Sequence, residues 1–322
     1  MYENYQPFRS WLRKIKNRET ITSMAKGQAK KKRDGNTFMV IGANGYVGWG
    51  VVCQLAYKFQ GCTIICVDKY IGSRDSITKH YPLEVRMNQL REYFDFTDEI
   101  VESNMKDYEE CQTVMAIYNP DYTINLADGN SKHNTILQNI LKANIDIKSN
   151  LIISTGYNNR GSFSNLNFKL TEFKTANVFG TCNWITLIDP LLSTVNDKTK
   201  LFNNMIFNLV NDGKVSFKDG YVPVLSLEDF SRAIVKIIRR GQKNNYEFYH
   251  ACDKALPKSK IAFILQDTFR NFKINTSVKV QGNPDIIPNI KNKKRFVKLI
   301  DKHRPPVEYM ISYSAKNYLD TR

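Results

Sequence analysis

Near-continuous apolar runs alternate with segments of helical spacing along most of the chain. The apolar runs are rich in β-branched residues and are predicted to be strands: Thr37–Ile41, Thr63–Val67, Tyr122–Leu126, Leu151–Ser154 and Phe173–Val178. The segments of helical spacing lie between them, at Tyr46–Phe59 and Thr135–Ala143. Apolar strands separated by helices are typical of a parallel sheet that is covered on both faces. The pattern therefore predicts an α/β fold with a Rossmann-type, doubly wound parallel sheet.

The same pattern divides the 322 residues into three parts. Residues 1–36 form a basic N-terminal extension, and residues 37–180 are predicted to be a Rossmann domain. Residues 181–322 are predicted to be a smaller C-terminal α/β domain, partly interwoven with the sheet. Because 42% of the residues are hydrophobic, the chain can bury a substantial core and is not a disordered polycation.

Positive charge is concentrated near the N-terminus. The chain has 47 Lys and Arg against 31 Asp and Glu, a net charge of +16. The first 35 residues hold ten basic and three acidic residues, which is +7 of that total. Residues 8, 11, 12 and 15 are apolar at helical spacing, so a helix there would have one apolar stripe flanked by cations. Residues 9–33 could therefore contact this protein's own body, a protein partner, nucleic acid or an anionic membrane, or act as a targeting segment.

Cysteine and histidine spacing argues against metal binding and disulfides. The six cysteines contain no C-x-x-C pair, and the four histidines do not have zinc-ligand spacing relative to them. We therefore expect no metal site and six reduced thiols. No run approaches the ~20 apolar residues of a membrane span. The expected location is intracellular, soluble or peripheral: cytoplasmic, with a mitochondrial location as the alternative.

A glycine-rich turn follows the first predicted strand. Gly42, Gly45 and Gly48 have the spacing that allows a tight turn and a close approach of backbone to a pyrophosphate, with the N-terminus of a helix supplying N–H donors. Asp68 ends the next strand, where its carboxylate can accept hydrogen bonds from ribose hydroxyls. The pair predicts NAD or NADP binding. Asp68 favours NAD because it would repel a 2′-phosphate, whereas Lys69 and Arg74 leave NADP open.

These features make the sequence similar to the extended short-chain dehydrogenases/reductases, the NAD-dependent epimerase/dehydratase group with its 3β-hydroxysteroid dehydrogenase relatives. The resemblance covers about residues 37–322, and it implies a dinucleotide-binding domain over residues 37–180 and a substrate-type domain over residues 181–322. Asp95 and Phe96 resemble the pair that holds the adenine, Leu126–Ala127 the strand end beside the cofactor, and Asn177 the turn near the nicotinamide. The resemblance implies the following cofactor-binding residues: Gly42, Asn44, Gly45, Tyr46, Val47, Gly48, Asp68, Lys69, Asp95, Phe96, Leu126, Ala127 and Asn177.

The family's catalytic pair is missing from this sequence. The family uses a tyrosine with a lysine four residues later, and a Ser/Thr hydroxyl to orient the substrate oxygen. Thr155 matches the Ser/Thr position, but no tyrosine of the chain has a lysine four positions on. Only about 20 residues separate Thr155 from Asn177, which indicates that the catalytic helix is deleted. A rebuilt pair of Tyr157 with Lys169 or Lys174 is the alternative.

Two further features follow from this comparison. The family's sugar enzymes place an arginine for the substrate diphosphate where this chain has Val222 and Pro223. Loss of the helix would also uncover several hundred square ångströms of the sheet, a size typical of functional contacts. The amphipathic segment Phe8–Ile15, another protein subunit or nucleic acid could cover it. The family's usual homodimer, which uses this helix, is not expected.

The sequence therefore predicts a non-catalytic NAD(P)-binding member of the family that acts as a structural or regulatory subunit of a larger assembly, with Thr155 as a vestigial catalytic residue. Two alternatives stay open. One is a divergent but active oxidoreductase or epimerase that acts on a nucleotide sugar or a steroid-like alcohol. The other is a nucleic-acid-binding protein built on the same fold.

Overall fold

A seven-stranded parallel sheet forms the centre of the protein. The computed structural model describes residues 35–72, 82–127, 135–156, 163, 166–179, 201–283, 293–300 and 306–320. In chain order the strands of this sheet are β1 (Thr37–Ile41), β2 (Cys62–Asp68), β3 (Phe96–Glu102), β4 (Tyr122–Asn125), β5 (Asn150–Gly156), β6 (Leu170–Thr175) and β10 (Tyr246–Ala251). Across the sheet their order is β3-β2-β1-β4-β5-β6-β10, and every neighbouring pair is parallel. The predicted Rossmann-type sheet is confirmed.

Helices cover both faces of this sheet, each over its own apolar core. On the first face lie α1 (Tyr46–Lys58), α2 (Leu83–Arg91), α6 (Leu227–Arg240) and α8 (Lys293–Val297). On the second face lie α3 (Tyr108–Tyr118) and α4 (Thr135–Ile147). Helix α4 extends four residues beyond the prediction because Ile147 still packs against the core. Helices α1 and α6 meet closely at Gly50, where a Cβ atom would lie 2.7 Å from the Leu227 side chain.

The predicted strand at 173–178 is two strands in different sheets. β6 ends at Thr175, and β7 (Asn177–Phe179) pairs with β9 (Tyr221–Ser226) in a separate three-stranded sheet. The amide of Asn177 donates to the carbonyl of Pro223 at 3.1 Å, which ties the start of β7 to β9. The prediction was wrong here because an apolar run does not show where a chain passes from one sheet to another.

The C-terminal half builds a third core and also completes the large sheet. Its remaining elements are α5 (Leu201–Asn211), β8 (Lys214–Lys218), β11 (Lys254–Pro257), α7 (Lys258–Asn271), β12 (Ser277–Gln281) and α9 (Val307–Asp320). These surround the third core, while α6 and β10 pack on or within the large sheet. The domain boundary at residue 180 stays a prediction.

The connection between β5 and β6 is short. It comprises residues 157–169, 13 in all, of which 163 and 166–169 are described, and none of these five is helical. Phe163, Leu166 and Phe168 pack against the second core, and Phe168 is buried. Apolar side chains of the connection therefore cover part of the face that a longer helical segment would otherwise occupy.

Several predictions concern residues that the structure describes in part or not at all. Residues 1–34, Arg74 and Tyr157 lie outside the described residues. A further run of basic residues lies between 291 and 304. Residues 293–300 of it are described, and Arg295 there is exposed. The five described cysteines are buried and form no disulfide. Within the same described ranges, no group of three His, Cys, Asp or Glu side chains could hold a metal, and no helix is long and apolar enough to cross a membrane.

Glu308 joins three elements of the C-terminal half. Its carboxylate on α9 accepts hydrogen bonds from Lys254 of β11 at 2.6 Å and Lys260 of α7 at 3.0 Å. Burial alone would raise the pKa of Glu308, but hydrogen bonds from Lys254, from a backbone N–H group and from Lys260 lower it from an ordinary 4.5 to about 2. The ion pairs therefore stabilise the fold fully above about pH 4.5, and this contribution is lost as the pH falls towards 2.

We expect Glu308→Gln to lower the free energy of unfolding by about 1 kcal/mol at pH 7. The effect is small because both lysines are partly exposed, and water screens their attraction to the carboxylate. The difference from wild type should shrink towards pH 3. Urea unfolding at both pH values measures it. Asp267→Asn is the control, because the exposed Asp267–Arg270 pair should contribute nothing measurable. A Glu308→Gln deficit of the same size at pH 7 and pH 3 would contradict the assignment.

Candidate functional site

The turn after β1 can be built only with glycine at two positions. Gly42 has φ +85°, in the left-handed region, and its N–H donates to the Val67 carbonyl at 2.8 Å. A Cβ atom on Gly42 would lie 3.0 Å from the Ala127 backbone nitrogen. A Cβ atom on Gly48 would lie 1.9 Å from the Gly42 carbonyl oxygen. The loop is thus pressed against the carboxyl ends of β2 and β4 and against the first turn of α1.

Helix α1 brings its N-terminus to this loop. Gly45 is the N-cap residue, so no side chain caps the helix, and the first turn carries no acidic residue. The first turn of α1 thus brings backbone N–H groups and the positive end of the helix dipole to this loop. Such an N-terminus is suited to an anionic group, and a phosphate is the usual one.

Asp68 stands beside the loop at the carboxyl end of β2. It is buried, and its two carboxylate oxygens accept hydrogen bonds from the backbone N–H groups of Asn44 at 3.0 Å and Tyr70 at 3.3 Å. Lys69, the next residue, is exposed. The carboxylate is therefore held in place at the end of β2, beside the glycine turn.

Leu126 and Ala127 also lie at this site. The N–H of Leu126 donates to the Ile41 carbonyl at 2.9 Å, which places Ala127 against Gly42. Asn177 follows the carboxyl end of β6, where it is bonded to β9. These three residues therefore lie at the carboxyl edge of the sheet, the edge at which open α/β sheets bind ligands.

The structure does not bring Asp95 and Phe96 to this edge. β3 is parallel to β2, with Phe96 opposite Cys62 and Glu102 opposite Asp68. Asp95 and Phe96 thus stand at the start of β3, roughly 20 Å from Asp68 at ~3.3 Å per residue. They were assigned from a local sequence likeness, which does not identify the end of a strand.

Ser103, Asn104 and Met105 occupy the place that the resemblance gave to Asp95 and Phe96. The N–H of Ser103 donates to the Asp68 carbonyl at 3.0 Å, so these residues continue β3 beside Asp68. Asn104 is half-buried and Met105 is buried. The sequence signal that could have found them is the change from apolar to polar residues after Val101, the last apolar residue of β3.

Thr155 is engaged by a buried carboxylate that the sequence did not single out. Its hydroxyl donates to Glu172 of β6 at 2.7 Å, and the Tyr246 hydroxyl donates to the other carboxylate oxygen at 2.6 Å. Glu172 is fully buried and Thr155 is 5% exposed. Burial, together with the hydrogen bond and negative charge of Glu172, raises the pKa of Tyr246. The Thr155 hydroxyl thus donates its hydrogen bond to a carboxylate of the protein itself.

The two lysines considered as substitutes for the catalytic lysine lie in different places. Lys169 precedes β6, at its amino end, and donates to the Gln242 carbonyl at 2.9 Å, far from Thr155. Lys174 lies directly opposite Thr155 in the parallel register, with its ammonium 5.0 Å from the Phe248 ring centre. His250 lies opposite Lys174 on β10, and burial and the positive charge of Lys174 lower the pKa of His250. Tyr157 lies outside the described residues.

Comparison with protein families agrees with this geometry. Residues 38–189 match the NAD dependent epimerase/dehydratase family. The matched stretch contains the glycine turn, Asp68 and Thr155. No curated protein sequence matches the chain.

Solved structures share the fold at low sequence identity. UDP-glucose-4-epimerase from Stenotrophomonas maltophila superposes with a TM-score of 0.66 at 13% identity, over 89% of this chain and 99% of that one. UDP-glucose 4-epimerase from Bifidobacterium longum gives 0.64 at 14% identity, over 89% and 98% of the two chains. dTDP-glucose 4,6-dehydratase from Bacillus anthracis gives 0.60 at 13%, over 88% and 97%. At such identities the likeness establishes the fold.

We expect Gly48→Ala to destabilise the fold by about 2 kcal/mol, because the added Cβ atom would collide with the Gly42 carbonyl and force the loop to move. Thermal and urea unfolding measure the change. Gly220→Ala is the matched control, since nothing lies within 4 Å of its Cβ position, and it should leave stability unchanged or slightly raised. Equal stability of the two variants would show that the turn is not as tight as described.

Proposed function

We propose that this protein binds NAD(H) or NADP(H), with NAD preferred, and does not carry out the family's oxidoreductase chemistry. The cofactor half of the proposal is supported by the residues at the carboxyl edge of the sheet. Backbone N–H groups of the turn from Gly45 to Gly48 would hold the pyrophosphate, and Asp68 would accept the ribose hydroxyls. UDP-glucose 4-epimerases with NAD are among the proteins of the same fold.

One observation carries the non-catalytic half of the proposal: the hydroxyl of Thr155 donates to Glu172. In the family this hydroxyl orients the substrate oxygen and works with a tyrosine made acidic by a lysine. In this chain that hydroxyl is bonded to a carboxylate with no exposed surface, and the carboxylate's other oxygen is taken by Tyr246. The sequence also lacks any tyrosine with a lysine four residues on.

A structural or regulatory role within a larger assembly fits these features. A net charge of +16 favours polyanionic or acidic partners, and nearly half of it lies in the first 35 residues. We propose that a protein partner contacts the face of β5, β6 and β10, and that residues 9–33 attach the protein to that partner, to nucleic acid or to an anionic membrane surface. The native mass of the complex isolated from its source tests this role, and a free monomer would argue against it.

A titration of the purified protein with NAD and NADP tests cofactor binding. We expect wild type to bind NAD and Asp68→Ala to bind it at least tenfold more weakly, with a smaller loss for NADP because the carboxylate no longer repels the 2′-phosphate. Asp95→Ala is the matched control: it removes a carboxylate at the opposite edge of the sheet and should leave affinity unchanged. Failure of wild type to bind either cofactor at millimolar concentration would refute the proposal.

Turnover assays test the non-catalytic half. No change in nicotinamide absorbance is expected with a panel of nucleotide sugars and hydroxysteroids, with cofactor present at saturating concentration. Glu172→Gln should leave NAD affinity unchanged, because β5 and β6 are separated from the glycine turn by β4. Turnover by wild type that Thr155→Ala abolishes would overturn the non-catalytic half and leave cofactor binding intact.

A second candidate function, a divergent oxidoreductase or epimerase, is favoured by the position of Lys174. Its Cα atom is paired with that of Thr155, Glu172 lies on the same strand as Lys174, and His250 lies opposite Lys174 on β10. The nicotinamide, when bound, supplies hydride transfer. The chain's own part would be to accept the substrate hydroxyl's proton at the Thr155 oxygen as the Thr155 proton passes to Glu172, with Lys174 stabilising the resulting charge. Turnover that is lost in both Lys174→Met and Glu172→Gln would support this function.

A further inference from the structure

Arg86 is a buried cation beside the glycine turn. It projects from α2, is 2% exposed, and its guanidinium carbon lies 4.5 Å from the ring centre of the buried Trp49 on α1. One of its terminal nitrogens, Nη2, donates to both the carbonyl oxygen and the side-chain oxygen of Asn44. A guanidinium is costly to bury, so its contacts must compensate for lost hydration. Both hydrogen bonds of Nη2 go to the same residue of the loop.

Asn44 connects Arg86 to the segment that follows β2. Its backbone N–H donates to the Asp68 carboxylate at 3.0 Å. Its side-chain Nδ2 donates to the carbonyls of Tyr70 at 2.6 Å and Gly72 at 3.2 Å. Asn44 of the glycine turn is therefore bonded to α2 on one side, and to Asp68 and the segment that follows it on the other.

The chemistry of these partners fixes the orientation of the Asn44 amide. A guanidinium offers only donors, so the Asn44 oxygen must face Arg86. The carbonyls of Tyr70 and Gly72 offer only acceptors, so the Asn44 nitrogen must face them. A carboxylate at position 44 could satisfy Arg86 but could not donate to the two carbonyls. Arg86 thus selects one rotamer of Asn44, and the charge polarises the amide so that its N–H groups become better donors.

We propose that Arg86 is a positioning residue for the adenosine half of the cofactor. It acts through Asn44, which holds the glycine turn and Asp68 at a fixed separation. The inference rests on the proposed cofactor binding and adds a residue outside the glycine turn and the ribose carboxylate. When a site is already held in its binding geometry, the ligand does not have to order it. In a looser site only a fraction of the molecules has the binding geometry, and the apparent affinity falls by that fraction.

A double-mutant cycle on NAD affinity tests the link. Arg86→Met keeps an apolar side chain against Trp49 but removes the donors, and Asn44→Ala removes the acceptor and the two donors. We expect each change to weaken NAD binding about tenfold, and the double variant to be about as weak as either one, because both remove the same link. Arg86→Lys, which keeps a cationic donor, should recover part of the affinity. Titrations are made at a temperature where each variant is folded by near-ultraviolet circular dichroism.

The matched control is Arg91→Met on the same helix. Arg91 is about half exposed and contacts Asp98 and Asn88, away from the loop, so NAD affinity should not change. ADP-ribose should lose affinity in Arg86→Met by the same factor as NAD, whereas nicotinamide mononucleotide should be unaffected. If Arg86→Met does not fold, Arg86→Lys and Asn44→Asp carry the test, and Asn44→Asp should weaken binding although its charge complements Arg86.

The outcomes separate this inference from the proposed function. Normal NAD affinity in Arg86→Met, or a hundredfold loss in the double variant, would overturn the positioning role while leaving cofactor binding established. A loss of thermal stability with unchanged affinity would do the same, because it would show a purely structural role. Absence of NAD binding by wild type would overturn the proposed function and this inference together.

Discussion

A parallel sheet must be buried on both faces. At β5, β6 and β10 this requirement governs both the packing of the connection after β5 and the hydrogen bonds between the strands. Thirteen residues connect β5 to β6, and Phe163, Leu166 and Phe168 of that connection pack on the second core. Buried polar side chains of these strands are satisfied by hydrogen bonds between neighbouring strands. Glu172 of β6 accepts from two hydroxyl donors, Thr155 of β5 and Tyr246 of β10, so the Thr155 hydroxyl is part of the sheet's internal hydrogen bonding.

Sequence reasoning succeeded where a residue's environment depends on its neighbours along the chain. The glycine turn follows a strand and begins a helix, so the spacing of Gly42 and Gly48 is sufficient to predict the close backbone approaches that the structure contains. It failed where the strand end mattered. Asp95 stands at the start of β3, because a local likeness does not show which edge of the sheet a residue reaches.

Glu172 and Arg86 were missed for a different physical reason. Each is a charged residue in the middle of an ordinary strand or helix, and its importance comes from partners 17 to 74 residues away along the chain. Burial of a charge is unfavourable unless hydrogen bonds compensate, so these positions contradict the pattern of apolar core and polar surface on which sequence analysis depends. A single sequence shows Arg86 as one more polar position on an amphipathic helix. Only the packing of α2 against the loop reveals that the guanidinium is enclosed.

The two sites therefore depend on separate parts of one sheet. The first group is built from β1, β2, α1 and α2, and it comprises the glycine turn, Asp68 and the Arg86–Asn44 link. The second group belongs to β5 and β6 and comprises Thr155, Glu172 and Lys174. Strand β4 lies between the two groups. Because each group is held by its own hydrogen bonds, a change in the connection after β5 need not disturb the turn after β1. The glycine turn with Asp68 and the Thr155–Glu172 hydrogen bond are therefore two separately held parts of the same sheet. A nucleotide that stabilises the fold by binding requires the same ordered turn as one that is bound for reaction, so the role proposed for Arg86 does not depend on whether the chain catalyses a reaction.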